Sequence, residues 1–91
     1  ILSSQVWTTA RDLARMGLLY LDDCVWNGKR ILPAGWGTYV SSKGPAQPER
    51  GEGYCATFWT FAPDSGLPAD GYLAQGNRGQ YLAIIPSRRI V

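Results

Sequence analysis

Apolar residues at Ala10, Leu13, Met16, Gly17, Tyr20 and Leu21 recur at the spacing of one helical face. Leu18 and Leu19 widen that stripe, which predicts a well-buried helix ending near Asp22-Asp23. Thr9 is placed to accept an N–H from the first turn, and Asp12 three residues later suits a capping box and the helix dipole. Gly17 in mid-helix costs ~1 kcal/mol relative to alanine, which implies close packing against a neighbour. Residues 25–32 then read as a small hairpin, because Asn27-Gly28 is a favoured two-residue turn. Pro33 suits the first position of a second helix, with Trp36, Tyr39 and Val40 as its apolar face and Ser41-Ser42 as its end.

The periodicity changes in the second half. Lys43 to Gly53 carries Gly44, Pro45, Pro48, Gly51 and Gly53 and reads as a loop. The aromatic, β-favouring run 54–61 predicts a strand. Pro63 to Gly71 is a second loop, and 72–75 a short strand. Tyr81-Leu82-Ala83-Ile84-Ile85 is the clearest strand, an apolar run expected to be covered on both faces. Pro86 to Arg89 reads as a turn, and Ile90-Val91 as the start of another strand. Helices first and consecutive strands later predict an α+β fold: helices over 8–43, then an antiparallel sheet of about three to four strands over 53–91. Residues 1–91 are taken as a single, incomplete domain. Ile1 and the abrupt stop at Arg89-Ile90-Val91 suggest a piece of a longer chain, although Ile1 alone is equally compatible with a shortened product.

At 91 residues the chain is one small domain of marginal isolated stability. A net charge of +2 is too small to argue for nucleic acid, which needs a concentrated basic face. No apolar stretch is long enough to span a membrane. The absence of histidine excludes Ser-His-Asp and Cys-His catalysis within this chain and histidine-based zinc sites. No metal site and no cofactor are expected. Cys24 and Cys55 have no metal or redox spacing; a single disulfide is one option, and two buried or half-buried thiols are the preferred one. Asp22, Asp23, Glu49 and Glu52 read as solvated surface groups rather than a glycosidase pair. Gly51-Glu52-Gly53-Tyr54-Cys55-Ala56 fits a dinucleotide fingerprint on paper, but a Pro-rich loop precedes it and a β-type run follows, so it is rejected.

Three segments carry a resemblance. They are the run from Thr9 to Leu21, the run from Trp26 to Pro33, and Gly76-Asn77-Arg78-Gly79-Gln80-Tyr81 followed by Ile84-Ile85-Pro86-Ser87. In this order and spacing they resemble the C-terminal part of β-lactamase-related serine hydrolases. That superfamily includes class C β-lactamases, penicillin-binding DD-peptidases, esterases and 6-aminohexanoate-dimer hydrolases. The resemblance implies a partial β-lactamase-like fold and acyl-serine hydrolysis of a small ester or amide, in a bacterial periplasm or cytoplasm.

Such chemistry uses a Ser-x-x-Lys, a Tyr-x-Asn or Ser-x-Asn, and a Lys-x-Gly or His-x-Gly. None of the six serines leads to lysine three residues on, and no Asn follows Tyr or Ser by two. Asn77-Arg78-Gly79 is the candidate for the third element. By resemblance it forms an edge-strand wall of the pocket, and the Gln80 N–H is one of two oxyanion donors. Gly79 would let substrate approach the backbone. Tyr54, after the Gly-rich loop, is a further candidate for substrate contact. The bland alternative for 77–79 is an ordinary strand start with glycine packing.

Two positions depart from the family. Asn77 stands where Lys or His is expected, and it can donate a hydrogen bond but not carry charge. Cys24 stands where glycine is expected at a helix end, at a cost of ~1 kcal/mol if its φ is positive. Trp59 and Phe61 could flank a cleft, but alternating strand aromatics belong more often to a core. Two readings follow. The first is a hydrolase fragment, inactive alone because its nucleophile lies elsewhere. The second is a small non-catalytic domain that binds or forms a homodimer through exposed edges, either Ile90-Val91 or the strand at 72–76.

Overall fold

The computed structural model describes residues 5–91. Ile1 to Ser4 lie outside the described residues, and with them Ser3 and Ser4 of the serines above. The fold is α+β, with two α-helices and two antiparallel sheets among the described residues.

The first helix, α1 (Ala10–Leu21), starts where the sequence places it: Thr9 is extended, and its hydroxyl accepts the Asp12 N–H at 3.1 Å. It ends in a Schellman motif, in which Asp23 N–H donates to Tyr20 O at 3.3 Å and Cys24 N–H to Leu19 O at 2.8 Å. Asp23 and Cys24 take left-handed φ values of 53° and 59°, so the condition for strain at Cys24 is met. The Cys24 side chain is fully buried. Gly17 is buried as expected, and a Cβ there would run into Val91 and come within 3.0 Å of Leu82. The helix as a whole is less buried than the stripe suggested. Met16 and Leu18 are 50% and 40% exposed, because the apolar stripe is wider than the single sheet face that covers it.

β1 (Val25–Trp26) and β2 (Lys29–Arg30) form the expected hairpin, with Asn27 and Gly28 at φ 49° and 76°. The second helix, α2 (Trp36–Ser41), begins three residues later than Pro33 proposed. Gly35 takes a left-handed φ of 80°, so Pro33-Ala34 turn instead of starting the helix, and Trp36 N–H reaches back to Pro33 O.

The larger sheet has the order β3 (Trp59–Thr60), β4 (Tyr72–Gln75), β5 (Tyr81–Ile84). The run 54–61 is not one strand. The chain reverses at Ala56-Thr57: Tyr54 pairs with Trp59, Cys55 N–H donates to Phe58 O at 2.7 Å, and Thr60 N–H to Gly53 O at 2.8 Å. High β-propensity was correct for both arms, but no Gly, Pro or Asn marks the turn between them. The reversal lets Phe58 pack inward between Tyr20 and Tyr72, with both ring pairs edge-on at 5.1 Å.

β5 is covered on one face, not two. Leu82 and Ile84 are buried with Phe58, Tyr72 and Val40 under α1, whereas Tyr81 is 62% exposed. Ile90 does not begin a further strand within the described residues; it folds back onto Ile85 through a short 3₁₀ turn, Pro86–Arg88. β4 is paired on both sides, so it offers no edge for association; β5 does. Among the described residues no helix is long and apolar enough to cross a membrane.

Candidate functional site

The segment 76–80 joins β4 to β5 as a three-residue hairpin loop. Gly79 N–H donates to Gly76 O at 3.1 Å, Gly76 N–H to Gln80 O at 2.7 Å, and Gly79 is left-handed at φ 84°. This is a turn followed by a glycine bulge. Asn77-Arg78-Gly79 is therefore the tip of a hairpin and not the edge strand the resemblance implied. A Cβ at Gly79 would meet nothing within 4 Å, so the glycine is required by its φ and not by close packing.

Behind this loop lies an open cleft of about 620 Å³ between α1, α2 and the sheet. Phe58, Ala74 and Leu82 contribute from the sheet, Tyr20 and Trp36 from the helices. Of the candidates, Tyr54 and Gln80 line the cleft together with Gly76; Asn77, Arg78 and Gly79 lie outside it at the exposed tip.

Gln80 is held from two directions. Its carbonyl accepts from Gly76, and its Oε1 accepts the Arg78 N–H at 3.1 Å. Its side chain lies against Gly76, where a Cβ would come within 2.9 Å of Gln80 Cβ. The Gln80 N–H has no protein acceptor among the described residues. Because the Gly76 and Gln80 pair is hydrogen-bonded, ladder alternation turns the Tyr81 and Ala83 backbone groups outward, toward the free edge of β5.

Tyr54 is presented by a clamp that sequence reasoning missed. Gln47 Oε1 accepts the Tyr54 N–H at 2.9 Å, and Gln47 Nε2 donates to Tyr54 O at 2.9 Å and Gly44 O at 2.8 Å. Thr60 Oγ1 accepts the Gly53 N–H at 3.0 Å. Gln75, on the cleft wall, donates to Glu52. A glutamine in a Pro- and Gly-rich loop carries no sequence signal that separates it from a solvated one. The Tyr54 ring stacks edge-on against Trp59 at 4.6 Å.

No activated nucleophile faces the cleft among these groups. Cys24 and Cys55 are free and buried, and burial raises both thiols above their ordinary range, so neither is a ready thiolate. Cys55 Sγ donates to Ser41 O at 3.1 Å. Burial also raises the Tyr20 phenol, and pushes Tyr72 up to about 12. The hydroxyls of Ser41 and Ser42 donate to helix carbonyls, at 2.8 Å to Gly37 O and 2.6 Å to Thr38 O. Among the described residues no group of three or more Cys, Asp or Glu is placed to hold a metal ion. What the arrangement offers chemically is an open, largely apolar recess whose lining includes the Gly76 and Gln80 segment. No protein-family model matches the chain, and no curated protein matches it.

Proposed function

We propose that this chain is the C-terminal part of a β-lactamase-related serine hydrolase, a partial β-lactamase-like fold that supplies a pocket wall for a small ester or amide. The observation that supports the reading is the placement of Gln80 and Tyr54 on one cleft. A fixed backbone N–H at a pocket mouth can meet charge developing on a carbonyl oxygen. Nucleophile and base come from a Ser-x-x-Lys segment elsewhere in the whole protein, and Asn77 at the tip takes no part in proton transfer. The test is p-nitrophenyl ester turnover. The 91-residue chain alone should show none. A longer chain carrying it behind a Ser-x-x-Lys segment should turn over, and Gln80→Pro, which deletes the N–H, should lower kcat about 100-fold or more. Turnover by the short chain that depends on its own residues, or indifference of the longer chain to Gln80→Pro, refutes the proposal.

A second reading, a non-catalytic domain that pairs with a copy of itself, draws on the free edge of β5, where Tyr81 and Ala83 present backbone groups. Sedimentation decides it. A defined dimer abolished by Ala83→Pro supports it, and a monomer at all concentrations excludes it.

A further inference from the structure

The cleft is unusual for this chain in one respect. Sixteen residues line it, and none is Asp, Glu, Lys or Arg, although such residues make up 18% of the chain, or about three in sixteen. Its polar groups are neutral: the amides of Gln75 and Gln80, the backbone at Gly76, the hydroxyls of Tyr20, Tyr54, Thr57 and Tyr81, and the Trp36 indole N–H. Glu52 accepts from Gln75, and Arg78 sits on the hairpin tip outside the cleft. The remaining walls are aliphatic and aromatic, with Leu13, Val40, Phe58 and Leu82 among them.

We infer that the cleft takes an uncharged ester or amide bearing a flat apolar group of about bicyclic size, and that it discriminates against ligands carrying a carboxylate. The ring system lies against Trp36 and Phe58, and the neutral carbonyl end meets the Gly76 and Gln80 backbone. A volume of about 620 Å³ lies within the range that holds such a molecule. A carboxylate entering the same recess gives up water and meets no cation, and its desolvation penalty exceeds that of the neutral amide. The inference rests on the proposed hydrolase reading for the role of the site, but it concerns binding and can be tested without turnover.

The probes are 2-naphthoxyacetamide and 2-naphthoxyacetate, which differ in little but charge. Each is titrated into the 91-residue chain while backbone amide resonances are followed by NMR. The amide should shift the resonances of Gly76, Gln80 and Thr57 saturably, with the carboxylate at least tenfold weaker. Thr57→Lys puts a cation on an exposed position of the wall and should reverse the preference. Ala56→Trp should obstruct the recess and weaken the amide at least tenfold, with the Ile84 resonance unmoved as the check on folding. Equal or tighter binding of the carboxylate overturns the inference. So does the absence of saturable shifts with either probe, or shifts centred away from the cleft. Selective binding by this chain together with a longer chain that never hydrolyses esters would refute the hydrolase reading alone. Turnover of esters with no preference between the probes would refute this inference alone.

Discussion

Thr60→Val isolates one of the hydrogen bonds that support the turn carrying Tyr54 and Trp59. Thr60 is 6% exposed, and its Oγ1 accepts the N–H of buried Gly53 at 3.0 Å. Valine fills nearly the same volume and keeps the β-branch, so packing and strand preference change little. What is lost is the acceptor. A buried N–H without a partner costs about 1–3 kcal/mol, and the added methyl returns part of that. The expected net loss is about 1.5 kcal/mol, which lowers Tm by about 6–12 °C in a domain of this size. Thr60→Ser keeps the oxygen and loses one methyl, worth about 0.8 kcal/mol. Stability alone separates the two variants poorly, so the deciding assay is amide hydrogen exchange at Gly53. Protection there should fall in Thr60→Val beyond the global loss, and persist in Thr60→Ser. Thr60→Val within a few tenths of a kcal/mol of the parent, or unchanged Gly53 exchange, would show that this bond does not hold the turn.

Three further outcomes are expected. Tyr72, with its pKa raised from 10.0 to about 12, stabilises the fold fully below pH 10. That contribution is lost as pH rises from about 10 through about 12; urea melts over this window should lose at most about 2.7 kcal/mol, and Tyr72→Phe should flatten the slope. Gly17→Ala sets a helix-propensity gain of about 1 kcal/mol against overpacking of about 1–3 kcal/mol at Val91 and Leu82. It should destabilise in urea, and adding Val91→Ala should recover most of the loss; strict additivity would refute the proposed contact. Gly79→Ala meets no atom within 4 Å but must hold φ 84°, so it should cost about 1–2 kcal/mol, with Gly79→Asn costing less; equal stability of all three would show that the loop relaxes to another turn.

The parts of the fold that sequence made legible are those whose cause is local. Thr9 caps α1 because its oxygen is three residues from the Asp12 N–H, and Asn27-Gly28 turns because both residues accept positive φ. Gly17 was legible for a different reason: a glycine inside a good helix needs a compensating contact, and Val91 and Leu82 provide it. The failures are tertiary. Nothing in Tyr54 to Phe61 marks a reversal at Ala56-Thr57, because the turn is imposed by the aromatic packing of Phe58 between Tyr20 and Tyr72. Pro33 lost the start of α2 to the left-handed Gly35, two residues away and equally local, but silent until its φ is known.

For the candidate site, the geometry expected of residues 76–80 differs from the one observed. Gly-x-x-Gly-Gln between two apolar runs is compatible both with an edge strand and with a hairpin tip, and the two differ in where the middle residues go. On an edge strand, Asn77 and Arg78 would reach the pocket. On a three-residue loop with a glycine bulge they extend past it, and only the flanking Gly76 and Gln80 return to the cleft. This bears on the Asn77 substitution. In the proposed family a charged residue there would have work to do only if it faced the substrate; at this tip it does not, so Asn77 carries little chemical consequence. The charge that matters for ligand choice is then the one missing from the cleft wall. Asn77→Lys in the present chain should therefore leave the amide-over-carboxylate preference intact, whereas Thr57→Lys should reverse it. A reversal produced by Asn77→Lys would mean that the tip bends into the cleft and that the edge-strand geometry was right.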